Sequence, residues 1–208
     1  MKISEIFYSL QGEGAESGLP TAFVRTAGCN LRCRWCDTRY ARRGREMTIE
    51  GILAALAAWP TRRVCVTGGE PLHQQGCSAL LRALKRKRYS ITLETNGSYD
   101  VGPFLKFGRI SLDIKCPSSG MAGRMHWANL ALLRSSDQVK FVIADRADYL
   151  FARQVVERER LSQRTHVILQ PVGGRSGRRL ASWMLRDGLD VRLGLQLHRV
   201  LWGGARGR

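Results

Sequence analysis

The chain has no apolar run approaching the ~18–20 residues that a membrane-spanning helix requires. Its first residues, Met1-Lys2-Ile3-Ser4-Glu5, carry neither the apolar stretch nor the small-residue cleavage site of a secretory signal. These absences lead us to expect a soluble, cytoplasmic protein. Long linkers, low-complexity blocks and fixed-period repeats are also missing. Acidic residues are scarce, 17 against 34 Lys and Arg, which leaves a formal net charge of +17. That excess describes solubility, nonspecific association and acidic partners rather than fold, so nucleic acid stays open as a partner without being required. Histidine is scarcer still, with four residues, and His73, His126 and His166 show no metal-ligand spacing.

What is present is an ordinary globular composition, 44% apolar and 25% charged over 208 residues. We expect one domain spanning 1–208, with a loose Gly/Arg-rich tail at 203–208. β-Branched apolar runs fall at 21–26, 63–67, 91–94, 110–114, 139–143 and 167–170. Helical patterns fall at 48–59, 77–87, 125–134, 145–159 and 177–186, and 191–198 reads as a final strand. Short strands alternating with helices argue for parallel β/α units. Polar or glycine-rich residues follow at least five of these strands: the cysteine loop, Thr67-Gly68-Gly69-Glu70-Pro71, Glu94-Thr95-Asn96-Gly97, Asp113-Ile114-Lys115 and Gln170-Pro171. In parallel β/α folds a ligand site forms at the carboxyl ends of the strands.

Six cysteines are unevenly placed. Cys29, Cys33 and Cys36 form Cys-x-x-x-Cys-x-x-Cys, whereas Cys65, Cys77 and Cys116 stand alone and read as packing residues. A tight cluster in a cytoplasmic chain points to metal binding or catalysis rather than a disulfide frame. A structural zinc site closes with four protein ligands, and no fourth is signalled nearby. Three thiolates can hold three irons of a four-iron cluster and leave the fourth open to chemistry.

Cys29-Asn30-Leu31-Arg32-Cys33-Arg34-Trp35-Cys36-Asp37 resembles the cluster loop of the radical S-adenosylmethionine (SAM) superfamily, and Gly68-Gly69-Glu70-Pro71 resembles its glycine motif. Within that superfamily the opening Ile6-Phe7-Tyr8-Ser9-Leu10-Gln11-Gly12-Glu13-Gly14 resembles the 7-carboxy-7-deazaguanine synthase family. So do Phe23-Val24-Arg25, Cys36-Asp37-Thr38, Leu93-Glu94-Thr95-Asn96-Gly97, the stretch from Asp113 to Gly120, Leu169-Gln170-Pro171 and Gln196-Leu197-His198. The matches run in order along nearly the whole chain.

The resemblance implies an α/β fold, a partial (β/α) barrel of the radical SAM type reduced to about six parallel strands with few helices. It implies a lyase that converts 6-carboxy-5,6,7,8-tetrahydropterin to 7-carboxy-7-deazaguanine with loss of ammonia, on the route to queuosine-type tRNA bases. Cys29, Cys33 and Cys36 would hold a 4Fe–4S cluster. Trp35, Cys36, Asp37, Gly69, Asp113, Ile114, Lys115 and Gln170 would contact SAM. Leu10, Gln11, Gly12, Arg25, Thr67 and His198 would contact the pterin, with Glu13 and Gly14 close by, and Thr38 would contact Mg2+. A homodimer and a flavodoxin-type electron donor are the implied partners. Asp113-Ile114-Lys115 is one of two variants at its place in the family, and Gly203 to Arg208 run past the family's end at Leu201-Trp202-Gly203. Two rival readings are an activase of a glycyl-radical enzyme, which shares the cluster loop, and a zinc-stabilised nucleic-acid-binding module, which would use the charge and the cysteine spacing.

Overall fold

A computed structural model of the chain describes residues 1–174, 177–205 and 207. Part of the tail expected to be loose, Arg206 and Arg208, lies outside them. The first elements are β1 (Lys2–Leu10), β2 (Pro20–Thr26), the two-residue β3 (Arg45–Glu46), α1 (Ile49–Ala57) and β4 (Arg63–Gly68). α2 (Cys77–Arg86), β5 (Ser90–Thr95), β6 (Arg109–Ile114), α3 (Asn129–Leu132) and β7 (Gln138–Ile143) follow. The chain continues through α4 (Arg146–Arg158), β8 (His166–Pro171), α5 (Arg178–Arg186), β9 (Arg192–Leu193) and α6 (Leu197–Trp202). The strands form one sheet in the order β3-β1-β2-β4-β5-β6-β7-β8-β9. From β2 to β9 every pairing is parallel, whereas β1 runs antiparallel to β2 and β3. This is a partial barrel, an open parallel sheet with few helices. No helix among the described residues is long and apolar enough to cross a membrane.

Alternation along the strands sorts the residues into two layers, because successive side chains point to opposite faces. Val24, Val66, Leu93, Leu112, Ile114, Phe141 and Leu169 enter one continuous apolar core. The residues beside them on the same strands, Arg25, Thr67, Glu94, Asp113, Lys140 and Gln170, line a cleft on the other face. Helices close the apolar side where their caps allow. Thr48 starts α1 by accepting a hydrogen bond from Gly51 N at 3.0 Å, and Asp145 starts α4 by accepting from Asp148 N at 2.9 Å.

Three expectations from periodicity need correction. β1 was legible only as a motif, yet it is a nine-residue strand; it is half-buried for most of its length, so its apolar signal is weak. The helix expected at 125–134 shrinks to four-residue α3. The Asn129 amide bonds instead to Val101 N and Tyr99 O, and His126 N to Gly97 O, which ties the segment to a loop. The strand expected at 191–198 stops after Leu193, and Val200 N then bonds to Gln196 O in helical turns. His198 is therefore helical.

Candidate functional site

The cleft, about 230 Å³ in volume, opens at the carboxyl ends of the parallel strands. It is lined by sixteen of the seventeen residues selected from the sequence: Leu10, Gln11, Gly12, Arg25, Cys29, Cys33, Trp35, Cys36, Asp37, Thr38, Thr67, Gly69, Asp113, Lys115, Gln170 and His198. Ile114 is the exception. Its side chain is fully buried in the apolar core, because it alternates with Asp113 and Lys115, so any contact with a ligand runs through its backbone.

The cysteine loop follows β2. All three cysteines are free thiols and half-buried. Burial raises the Cys29 and Cys33 pKa above the usual thiol value, only partly opposed by the Leu31 backbone at Cys29 and by the Lys115 ammonium at Cys33. Leu31 N and Asn96 Nδ2 lie 3.4 and 3.7 Å from Cys29 Sγ. Thr38 Oγ1 stands 3.7 Å from Cys36 Sγ. Trp35 is anchored from behind: its Nε1 donates to Ser118 Oγ at 2.9 Å, and Ser118 in turn bonds to the buried Asp148. Among the described residues no three His, Cys, Asp or Glu side chains converge on a single ion position.

The glycine motif ends β4. A Cβ at Gly69 would sit 2.1 Å from Gly28 O, so only glycine lets this turn pack against the cysteine loop. Gly69 N and Glu70 N bond to Thr26 O and Gly28 O at 3.1 and 2.8 Å. The Glu70 carboxylate, fully buried, accepts from Leu72 N, Thr95 Oγ1 and Asn96 N at 2.9, 2.8 and 2.7 Å. Burial raises its pKa despite these donors. Glu70 thus fastens three strand ends together, and its carboxylate faces the scaffold.

Deeper in the cleft, Lys115 Nζ pairs with Asp113 Oδ2 at 2.9 Å and lies 5.9 Å from the Trp35 ring centre. Burial pulls the Lys115 pKa down, but the Asp113 and Cys33 charges together with the Asp113 hydrogen bond outweigh it and leave the value raised. Asp113 Oδ1 and Gln170 Oε1 are buried without a hydrogen-bond partner. Arg25 is ion-paired through Nε to Glu5 at 2.7 Å, so its fork is partly engaged before any substrate arrives. Glu94 accepts from Gln11 Nε2 at 3.2 Å and Thr67 Oγ1 at 2.9 Å.

Glu13 is ion-paired to Lys140. Burial raises the Glu13 pKa, but the Lys140 charge and bonds from Lys140 and Gln196 outweigh it and hold the value at about 2; Lys140 is raised in return. His198 sits over Gly12, where a Cβ would stand 2.1 Å from its Nδ1, and burial lowers its pKa. Sequence reasoning gave no role to Glu94, Lys140 or Gln196, all of which line the cleft. The signal for two of them was available: Glu94 and Lys140 are charges inside apolar strands, at the alternation positions that face away from the core.

The residues fit an iron–sulfur cluster and SAM. Three unpaired thiols are soft donors suited to iron–sulfur ligation, and Asp113 Oδ1 and Gln170 Oε1 are unmet buried acceptors for a donor-bearing ligand. The Radical SAM superfamily model matches residues 23–119. A 7-carboxy-7-deazaguanine synthase of Chlorobaculum tepidum is 43% identical, covering all of this chain and 97% of its own length. One of Koribacter versatilis is 39% identical over 97% of both chains. The crystal structure of QueE from Escherichia coli aligns with a TM-score of 0.76 at 22% identity, over 94% of this chain and 93% of that one.

Proposed function

The chain belongs to the 7-carboxy-7-deazaguanine synthase family of the radical SAM superfamily, and from that premise we propose what each part of its cleft does. It is a radical SAM lyase of deazapurine biosynthesis, converting 6-carboxy-5,6,7,8-tetrahydropterin to 7-carboxy-7-deazaguanine with loss of ammonia. The full-length likeness to synthases does not favour the glycyl-radical activase or the zinc-stabilised module.

Cys29, Cys33 and Cys36 hold the 4Fe–4S cluster. When bound, the cluster and SAM supply one-electron chemistry and hydrogen abstraction from the pterin. The protein's share is orientation and the exclusion of water. Trp35, Cys36, Asp37 and Gly69 bound the SAM site from the two loops, while Asp113, Lys115, Gln170 and the Ile114 backbone bound it from the strands. Asp113 Oδ1 and Gln170 Oε1 are the acceptors a SAM amino or hydroxyl group would complete, and this pair of unmet atoms beside three free thiols carries the reading. Leu10, Gln11, Gly12, Thr67 and His198 enclose the pterin, with Arg25 as the partner for its carboxylate. Thr38 contributes one oxygen to Mg2+, a metal that keeps several waters and takes others from substrate.

Arg32, Arg34 and Arg43 are exposed around the cysteine loop and form no ion pair with a described carboxylate, which suits an acidic flavodoxin-type donor. The active form is a cytoplasmic homodimer, and nucleic acid is not required. The test is anaerobic turnover by cluster-reconstituted protein with pterin, SAM, Mg2+ and a strong reductant, followed by mass spectrometry. Carboxy-deazaguanine with SAM largely unconsumed is the expected result. 5′-Deoxyadenosine alone would mean a different substrate, and zinc in place of iron would end the radical reading.

A further inference from the structure

Gln196 lines the cleft, has no role in the reading above, and carries an unmet hydrogen bond. It lies just before α6 and is 6% exposed. Its Nε2 donates to Glu13 Oε1 at 2.8 Å and to Asp37 Oδ2 at 3.2 Å. Those carboxylates fix the orientation of the amide, since an oxygen turned toward two acceptors would be repelled. Oε1 therefore faces away from them, and it is buried with no partner. A buried acceptor without a donor is costly, and a bound molecule bearing N–H groups would complete it.

The two carboxylates belong to different halves of the cleft. Glu13 lies on the loop between β1 and β2 and is held by Lys140; Asp37 ends the cysteine loop. Neighbouring contacts run the same way: Leu197 N donates to Gly12 O at 2.8 Å, and Arg199 Nη2 lies 3.8 Å from Asp37 Oδ2. One amide thus ties the wall assigned to the pterin to the wall assigned to SAM.

We propose that Gln196 is a binding and positioning residue that couples the two halves: its Oε1 accepts a ring N–H of the pterin while its Nε2 holds Glu13 and Asp37 in one arrangement. The inference rests on the reading of the cleft given above. A pterin bond at Oε1 restrains the amide plane, and the same plane sets the direction in which Nε2 meets both carboxylates. SAM then encounters an Asp37 already in place, and the ordering is paid once for two ligands.

The test measures SAM affinity of cluster-reconstituted protein, anaerobically, with and without the pterin, for wild type, Q196M and Q196E, together with 5′-deoxyadenosine released per product. Wild type should bind SAM several-fold more tightly when the pterin is present. Q196M, which neither donates nor accepts, should lose that enhancement, raise the pterin KM about fivefold for one lost hydrogen bond, and release more 5′-deoxyadenosine per product. Its SAM affinity without pterin should fall as well, because Asp37 loses the Nε2 bond, but by less than its affinity with pterin does. Q196E keeps an acceptor but sets a third carboxylate against Glu13 and Asp37, so its SAM affinity should weaken even without pterin. If both variants lower Tm yet keep the wild-type enhancement, Gln196 is only structural and the proposal is overturned. Should Q196M not fold, hydrogen exchange of wild type decides: protection around Glu13 and Asp37 rising together on pterin binding supports the coupling, and unchanged protection overturns it. A wild type that binds SAM but makes no product from the pterin overturns the reading of the cleft instead.

Discussion

The two faces of the parallel sheet are built from the same strands, one residue out of step, and they do opposite work. Leu112 and Asp113 are neighbours on β6. Leu112 is fully buried among Val66, Leu93, Val139 and other apolar side chains, where contacts are many, neutral and complete. Asp113 faces a cleft crowded with Lys115, Lys140 and an oxygen that has no partner. The apolar face has met its bonding needs by folding. The cleft face has been left partly unmet, and a ligand finishes it. Among the described residues the cleft holds three buried acceptors without a partner, Asp113 Oδ1, Gln170 Oε1 and Gln196 Oε1, while Arg146 Nη1 on α4 and Ser9 Oγ on β1 are unmet outside it.

This contrast can be tested on adjacent residues. Leu112→Ala should cost ~2–5 kcal/mol of stability, as other large-to-small core changes do, with turnover per folded molecule unchanged; urea denaturation and active-site titration read the two quantities. A large loss of turnover in the folded fraction would mean that the faces are not independent. Asp113→Asn should instead weaken SAM binding by about ten- to hundredfold for a lost charge-assisted bond, so turnover per folded molecule falls; the urea midpoint falls too, because Lys115 keeps a buried charge without its partner. The smallest effect concerns pH. Glu13 is held at about 2 against an ordinary 4.5, so its ionised form stabilises the fold above the ordinary value. That contribution disappears as the pH falls toward the folded value. The urea midpoint of wild type should therefore fall more between about pH 6 and about pH 3 than that of Glu13→Gln. Equal falls would show that the Lys140 pair does not stabilise the protein.

Much of this division was legible in the sequence. Short β-branched runs marked the parallel strands from β2 to β8 because both layers press on them and their apolar content is high. The cysteine and glycine motifs marked the loops because their chemistry depends on residue type at fixed spacing. What escaped was set by distant contacts. β1 has little apolar periodicity because it sits at the half-exposed antiparallel side of the sheet. The segment at 125–134 was drawn away from helix by the Asn129 amide, which bonds to a loop some thirty residues earlier in the chain. Gln196 stood in a recognised motif, but its role depends on bringing Glu13 and Asp37 within reach of one amide, and no local pattern encodes that meeting. Arg25 was legible as a cleft arginine, whereas its engagement by Glu5 came from the antiparallel pairing of β1 and β2 that places the two opposite each other.

The sheet's two ends complete the picture. β3 and β9 are only two residues long, and both are exposed. An open barrel leaves strand edges that could recruit a neighbouring molecule by backbone pairing, the route by which sheets aggregate. β9 pairs with only Ile168 and Leu169 of β8, and β3 with only Lys2 and Ile3 of β1, so residues 4–10 along the outer side of β1 have no strand beside them. The open barrel that admits a large cofactor thus carries, along β1, an edge long enough for backbone pairing with a neighbour.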